Sequence, residues 1–361
     1  MNDRLNTLQH KLQEFEVDAL LITNPENRYY ISGFTGSAGY LFITPDEAYL
    51  NTDFRYIEQA TNQAPSFEIV KIDSELKWFI DLLIKHRINT LGFESEDLSF
   101  AGYSRFSEII DKNKLNKIVN LKPLSATIEK IRAVKYIDEI DILKEAIRIS
   151  DEAMNTIAPT IQAGISEREI ALQLENKMRE LGAEGPSFDT IVGSGPNAAL
   201  PHHRAGERII QKGESIVIDM GAKYQGYCSD LTRTFCVGKP DETFRKVYDT
   251  VFAAQQTAIS LVEQEMTGTD CDNIARKVIE ESGFGDKFGH SLGHGVGLAV
   301  HEYPRVSPNS PDILMNNMVF TIEPGIYIPG WGGVRIEDII TLQNNKAEVL
   351  SAATRNEIIG G

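Results

Sequence analysis

Four acidic residues in the second half of the chain stand inside or at the end of apolar runs. Asp219 interrupts Ile216-Val-Ile-Asp-Met220, and Asp230 lies in Cys228-Ser-Asp-Leu-Thr-Arg-Thr-Phe235. In the latter run, strand alternation puts Cys228, Asp230, Thr232, Thr234 and Cys236 on one face. With Tyr224-Gln225 as a two-residue loop, Asp219 directly faces Asp230 across a hairpin, the side chains ~5 Å apart. A three-residue loop using Gly226 would put them on opposite faces unless a bulge restored the phase. Two carboxylates so placed repel each other unless a cation lies between them, and burying them unpaired is costly. Glu323 ends the run Val319-Phe-Thr-Ile322 and precedes Pro324-Gly325, which reads as a turn. Glu337 sits in Val334-Arg-Ile-Glu-Asp-Ile339 and shares a face with Arg335.

Between these acids lies Gly289-His-Ser-Leu-Gly-His-Gly-Val-Gly-Leu-Ala-Val-His301. It holds His290, His294 and His301, three of the seven histidines in the chain. A lone histidine, aspartate or glutamate is usually structural. This clustering is not the usual background. The glycines at 289, 293, 295 and 297 argue against a helix, so this is not the helical histidine pair of zinc proteases.

These residues need a scaffold. Leu5, Leu8, Leu12 and Phe15 are spaced as one face of a first helix. Short strands are expected at Asp18–Ile22, Tyr40–Ile43, Glu47–Asn51, Phe67–Ile72 and near Thr90–Phe93. Helices are expected over Leu76–Lys85 and Tyr103–Lys112, and Asn24–Gly39 reads as mostly loop. The alternation describes an α/β layer for residues 1–130. From 131 to 361 the texture differs. A long helix is expected over Tyr136–Ile157, and a second after Gly164, with Ser166 and Glu169 as a capping box and Gly182 as its stop. After Ile191 the chain is glycine-rich and β-like. One helix interrupts it, with Asp270 as N-cap and Gly283 as stop. Gly164-Ile-Ser166 and Gly268-Thr-Asp270 are followed by Ile-Ala at matching offsets, which suggests a duplicated αβ unit.

The 361 residues imply two domains, and 42% hydrophobic with 24% charged residues is ordinary globular composition. The net charge of −16 argues against nucleic acid as a partner. No stretch has the length of a membrane span or the pattern of a secretion signal, so no membrane partner is expected. Three cysteines, Cys228, Cys236 and Cys271, suit reduced thiols, and a cytoplasmic location is expected. Cys228 and Cys236 share the parity of Asp230, but small buried hydrophobes describe them better than metal ligands.

The set Asp219, Asp230, His294, Glu323 and Glu337 resembles the metal site of the pita-bread metallopeptidases. The stretches IDMGAKYQGYCSDLTRTF, GHSLGHGVGLAVHEYP and VFTIEPGIY with GGVRIED resemble the proline-specific branch, the Xaa-Pro aminopeptidases and Xaa-Pro dipeptidases (prolidases). Ser194-Gly-Pro-Asn-Ala-Ala-Leu-Pro-His202 is similar to that branch's substrate-side histidine segment. Tyr30-Ile-Ser-Gly-Phe-Thr-Gly36 and Asp53-Phe-Arg-Tyr56 look like the creatinase/prolidase N-terminal domain. The resemblance therefore implies an α/β N-terminal domain of creatinase/prolidase type, residues 1–130, and an α+β pita-bread catalytic domain, residues 131–361. Two positions depart from the pattern. His203 stands where glycine is usual and would narrow the entrance. Asn316-Asn317 replaces a glycine before Met318, where asparagine tolerates a positive φ.

The resemblance implies two divalent metal ions per chain. Four carboxylates and one imidazole favour manganese, with cobalt, iron or zinc as alternatives. It implies hydrolysis of the N-terminal peptide bond of short peptides with proline second, and a homodimer. Glu323 would both bind metal and shuttle a proton. His301 and His202 would hydrogen-bond the substrate and the developing oxyanion. His290 would line the pocket. Arg335 would either line it too or orient Glu337. Two rivals share the fold. A creatinase-like C–N hydrolase should lack the five ligands, and a non-catalytic binding protein should have lost some of them or gained basic insertions.

Overall fold

In the computed structural model, residues 2–73 and 75–360 are described. The chain divides into two compact units, Met1–Ile131 and Arg132–Gly361.

The first unit is built on a mixed sheet. Its strands run Glu68–Lys71, Ala48–Thr52, Tyr40–Ile43, Ala19–Ile22, Thr90–Glu94 and Asn120–Leu124 across the sheet. Ala19–Ile22 is buried at every position, so both faces of the sheet are covered there. On one face Ala19, Leu21, Phe42 and Tyr49 pack with Trp78, Phe79, Leu82, Leu83, Phe106 and Ile110. These come from the helices Lys77–Lys85 and Phe100–Lys112, both close to their expected bounds. The first helix, Asn2–Lys11, buries Leu5 and Leu8, and Leu12 is buried just after it.

The segment expected as loop contains a helix, Pro25–Ser32. Its punctuation is complete. Asn24 Oδ1 accepts the Asn27 N–H, Pro25 stands in the first turn, and Gly33 closes it at φ 75°. Eight residues hold too little periodicity to be seen against a glycine-rich flank. Tertiary contacts complete the helix: the buried Glu94 carboxylate accepts the Thr23 and Asn24 N–H groups and Asn27 Nδ2.

The second unit repeats one arrangement twice. The helices Ile137–Ile157 and Glu167–Glu180 pack on the sheet of Ile358–Ile359, Leu231–Val237, Ser215–Met220 and Ile191–Ser194. Ile149, Met154, Ile170, Leu174 and Met178 meet Ile216, Ile218 and Phe235 there. The helices Glu242–Leu261 and Gly268–Glu281 pack on a second sheet. It runs Glu302–Val306, Gly293–Gly295, Val319–Ile322, Asp338–Gln343 and Lys346–Val349. Phe244, Val247, Val251, Cys271, Ala275 and Ile279 meet Phe320, Ile322, Ile340 and Leu342.

The duplication is thus real, but its alignment and one of its helices differ from expectation. The helix Glu242–Leu261 interrupts the region read as β-like. Its signal is present in Phe244, Val247, Tyr248, Val251, Ala254 and Ala258, all buried and at helical spacing. Asp270 is not the N-cap of the following helix. Thr267 is, and Asp270 sits at the third helical position, completing a capping box with it. Ser166 does cap its helix, accepting the Glu169 N–H. The matching caps are therefore Ser166 and Thr267, each also joined by an isolated antiparallel bridge to a residue distant in sequence, Ile209 and Ile313.

Among the described residues no helix is long and apolar enough to cross a membrane. The three cysteines are free and buried.

Candidate metal centre

The hairpin that carries the first two acids turns at Gln225-Gly226, one residue later than expected. Tyr224 pairs with Tyr227, and Gln225 and Gly226 have φ of 47° and 80°. A two-residue hairpin turn with positive φ at both positions places glycine naturally at the second. The register then runs unbroken into the next sheet, where Asp219 pairs with Thr232 rather than with Asp230. The expected direct opposition is therefore wrong by two residues. The parity survives, because a two-residue shift returns a strand to the same face. Asp219 and Asp230 are therefore diagonal neighbours across the two strands.

Asp230, His294 and Glu337 each offer a ligand atom, and these atoms lie within 4.8 Å of one another. His294 comes from the short strand Gly293–Gly295, and no helix forms in its glycine-rich surroundings, as expected. Its Nδ1 lies 3.1 Å from the Gly295 carbonyl, which fixes the N–H there and leaves Nε2 facing the acids. His294 Nε2 is 3.2 Å from Glu323 Oε1 and 3.6 Å from Asp230 Oδ2. Thr321 Oγ1 donates to Glu323 Oε1 at 3.0 Å. Glu323 follows the strand Val319–Ile322, but Pro324-Gly325 is not a turn. It carries the chain directly into the strand Gly325–Ile328 of a separate two-stranded ribbon.

Arg335 bonds Asp219 directly and Glu337 only through an intermediary. Its Nη2 donates to Asp219 Oδ2 at 2.6 Å. Its Nε donates to Thr232 Oγ1 at 3.1 Å, and that hydroxyl donates to Glu337 Oε2 at 2.6 Å. Its Nη1 donates to the Tyr327 hydroxyl and the Pro201 carbonyl. His290 Nε2 lies 2.9 Å from the same Tyr327 oxygen. Thr232, Thr321 and Tyr327 were not singled out as site residues from the sequence. Thr232 had a signal, since it shares the face of Asp230. Tyr327 had none, because its partners His290 and Arg335 lie in separate segments.

His301 stacks edge-on to His294, with ring centroids 4.3 Å apart. His202 is close enough to both His290 and His301 to lower their basicity. Burial, then the neighbouring His294, lowers the basicity of His301; burial does the same for His290. His203 was expected to narrow the entrance; what is seen is the direction of its side chain. Its side chain turns to Glu167, with Nε2 2.9 Å from Oε2. Asn317 takes φ 64°, as its replacement of glycine requires. Cys228 and Cys236 lie outside the ligand group, and burial pushes the Cys236 thiol up to about 11.

The electrostatics call for a cation. Burial and mutual repulsion raise Asp230 and Glu337 well above the usual carboxylate range, and burial raises Asp219 less. Burial works against Glu323 too, but the hydrogen bond and charge of His294 hold it at about 2. Asp219 Oδ1 and Glu337 Oε1 are buried with no donor reaching them. Such oxygens are costly unless a cation binds them. The donor set therefore fits divalent metal, with oxygen ligands in excess of nitrogen.

Residues 141–344 match the model of metallopeptidase family M24, and residues 4–134 match that of the creatinase/prolidase N-terminal domain. The chain is 39% identical over 358 residues to an Xaa-Pro dipeptidase of Pyrococcus furiosus, covering 98% of this chain and 99% of that protein. Among solved structures, an Xaa-Pro dipeptidase from Bacillus anthracis superposes with a TM-score of 0.94 at 40% identity, covering 99% of each chain. An X-Pro aminopeptidase from Thermotoga maritima superposes with a TM-score of 0.89 at 38% identity, covering 98% of this chain and 99% of that one. With a creatinase/prolidase N-terminal domain followed in sequence by a pita-bread catalytic unit and its buried carboxylate site, the chain belongs to metallopeptidase family M24.

Proposed function

We propose that this protein removes the N-terminal residue from short peptides with proline in second place, as an Xaa-Pro dipeptidase or aminopeptidase. Asp219, Asp230, His294, Glu323 and Glu337 would hold two divalent ions, with manganese expected. The observation that carries the reading is the convergence of Asp230, His294 and Glu337, with Glu323 beside His294, on a site where carboxylate oxygens of Asp219 and Glu337 are buried without any donor. Full-length similarity to Xaa-Pro dipeptidases supports the substrate class.

When bound, the ions supply Lewis acidity, polarising a carbonyl and acidifying water. The chain's own residues do the rest. Glu323, steadied by the Thr321 hydroxyl, is placed to take a proton and return it to the leaving nitrogen. His301, beside His294, can donate to the oxygen of the scissile carbonyl. His202 stands on the substrate side. His290, Tyr327 and Arg335 form one hydrogen-bonded wall that also fixes Asp219.

The test uses protein stripped by chelator and reloaded with manganese. It is assayed on an Ala-Pro dipeptide and an Ala-Pro-Ala tripeptide. Release of free alanine from at least one, only when metal is restored, is expected. Cleavage of neither by the reloaded protein rejects the reading. Which peptide is preferred separates dipeptidase from aminopeptidase. The family resemblance and reduced cysteines support a cytoplasmic homodimer as part of the same proposal.

A further inference from the structure

We propose that Glu167 and His203 together form a latch that sets the position of His202 and the Pro201 carbonyl at the substrate end of the site. The inference rests on His202 being a substrate-side residue, as proposed above.

Glu167 opens the helix Glu167–Glu180 and is fully buried. Its carboxylate accepts Ser194 N–H at 2.8 Å, Ser194 Oγ at 2.7 Å and Asn197 Nδ2 at 3.0 Å. It also accepts His203 Nε2 at 2.9 Å and Gly206 N–H at 3.4 Å. Every one of these donors lies between residues 194 and 206. Burial would raise the Glu167 carboxyl, but Ser194 and His203 lead the donors that hold it below its ordinary value. The start of a helix also favours negative charge. A buried anion thus gathers one loop around itself.

The opposite side of that loop is held from the metal centre. Arg335, which bonds Asp219, also donates to the Pro201 carbonyl at 3.3 Å. His202 is bracketed by Pro201, tied forward to Arg335, and His203, tied back to Glu167. The His203 N–H also closes a turn onto the Leu200 carbonyl at 3.1 Å. Glycine at 203 would keep the turn but lose the backward tie, because it has no side chain to reach Glu167. The imidazole therefore adds a fixed point next to His202, about one residue from the substrate-facing ring.

A purely structural staple would change stability and nothing else, so the test separates the two. His203→Gly, His203→Gln and Glu167→Gln are made in the full chain and loaded with manganese. Bound metal, amide hydrogen exchange over residues 194–206, and KM and kcat on an Ala-Pro dipeptide are measured. For His203→Gly we expect unchanged metal content, exchange of the segment at least fivefold faster, and KM at least fivefold higher, with the larger part of the kcat/KM loss in KM. His203→Gln, which keeps a donor on a long side chain, recovers part of both effects. Exchange and KM within twofold of the parent in His203→Gly overturn the latch. So does a glutamine variant no better than glycine, or a metal loss that accounts for the activity loss. Glu167→Gln should exceed His203→Gly in the exchange readout; if it does not fold, the two His203 variants still decide. Failure of the unsubstituted enzyme to cleave Xaa-Pro peptides overturns the substrate reading. An exchange pattern unmoved by His203→Gly overturns the latch itself.

Discussion

At the level of single residues, the site separates groups that would hold metal from groups that would meet substrate. Asp230 is buried, is repelled by Glu337, Asp219 and Glu323, and lies within reach of His294. Asp230→Asn removes a charge that a cation would neutralise and offers an amide donor toward that cation. The variant is expected to lose metal and activity together while keeping its circular dichroism spectrum. Full activity with unchanged metal content would remove Asp230 from the ligand set. His301 stacks edge-on to His294, a proposed ligand, and is not itself among the five proposed ligands. His301→Ala should keep its metal and lose kcat by ~100-fold or more, the scale of a lost oxyanion donor. Metal loss measured in that variant would make His301 a ligand or its support. The sequence named both residues, because acids inside apolar runs and histidines among glycines are unusual patterns. It could not assign Arg335, whose direct contact with Asp219 depends on bringing together two strands far apart in the chain.

Secondary elements explain why some expectations shifted by a residue or two. The hairpin turn moved to Gln225-Gly226 because only there does glycine take the second positive φ, and each pair above it moved with it. The helix Pro25–Ser32 depends on an element distant in sequence. Its N-terminus is held by Glu94 at the end of the strand Thr90–Glu94. Burial pushes the Glu94 carboxyl from 4.5 up to about 7, against the pull of the Asn24 and Asn27 donors. A raised carboxyl binds more protons in the folded state than in the unfolded one. Folding stability from this group is therefore greatest below about pH 4.5 and is lost as pH rises through about 7, by at most about 3 kcal/mol. Glu94→Gln cannot titrate. In thermal melts, the parent's advantage over this variant should be larger at pH 5.5 than at pH 7.5, by about 1–3 kcal/mol. An advantage that does not change with pH would show that Glu94 is not the titrating group.

For the whole molecule, the substrate reading gives a discriminating measurement. A bond to proline has no N–H at the leaving nitrogen. A pocket shaped for it needs no acceptor there, and alanine in second place would bury an N–H without a partner. That costs ~1–3 kcal/mol, about a factor of ten or more in rate. Peptides with proline second should therefore be cleaved at least tenfold faster by kcat/KM than matched peptides with alanine second. Equal values, or a preference for N-terminal methionine before a small residue, would reject proline specificity and leave the metallopeptidase assignment standing. By itself the sequence determined the two-domain organisation, the repeated αβ plan of the second unit, and the four acids and one histidine proposed to hold metal there. Those features are local: they rest on hydrophobic period, glycine placement and residue type. Tertiary structure alone decided the register that makes Asp219 and Asp230 diagonal neighbours, the role of Thr232 between Arg335 and Glu337, and the turning of His203 onto Glu167. Each of these joins side chains from separate elements, and a sequence read segment by segment carries no distance between segments.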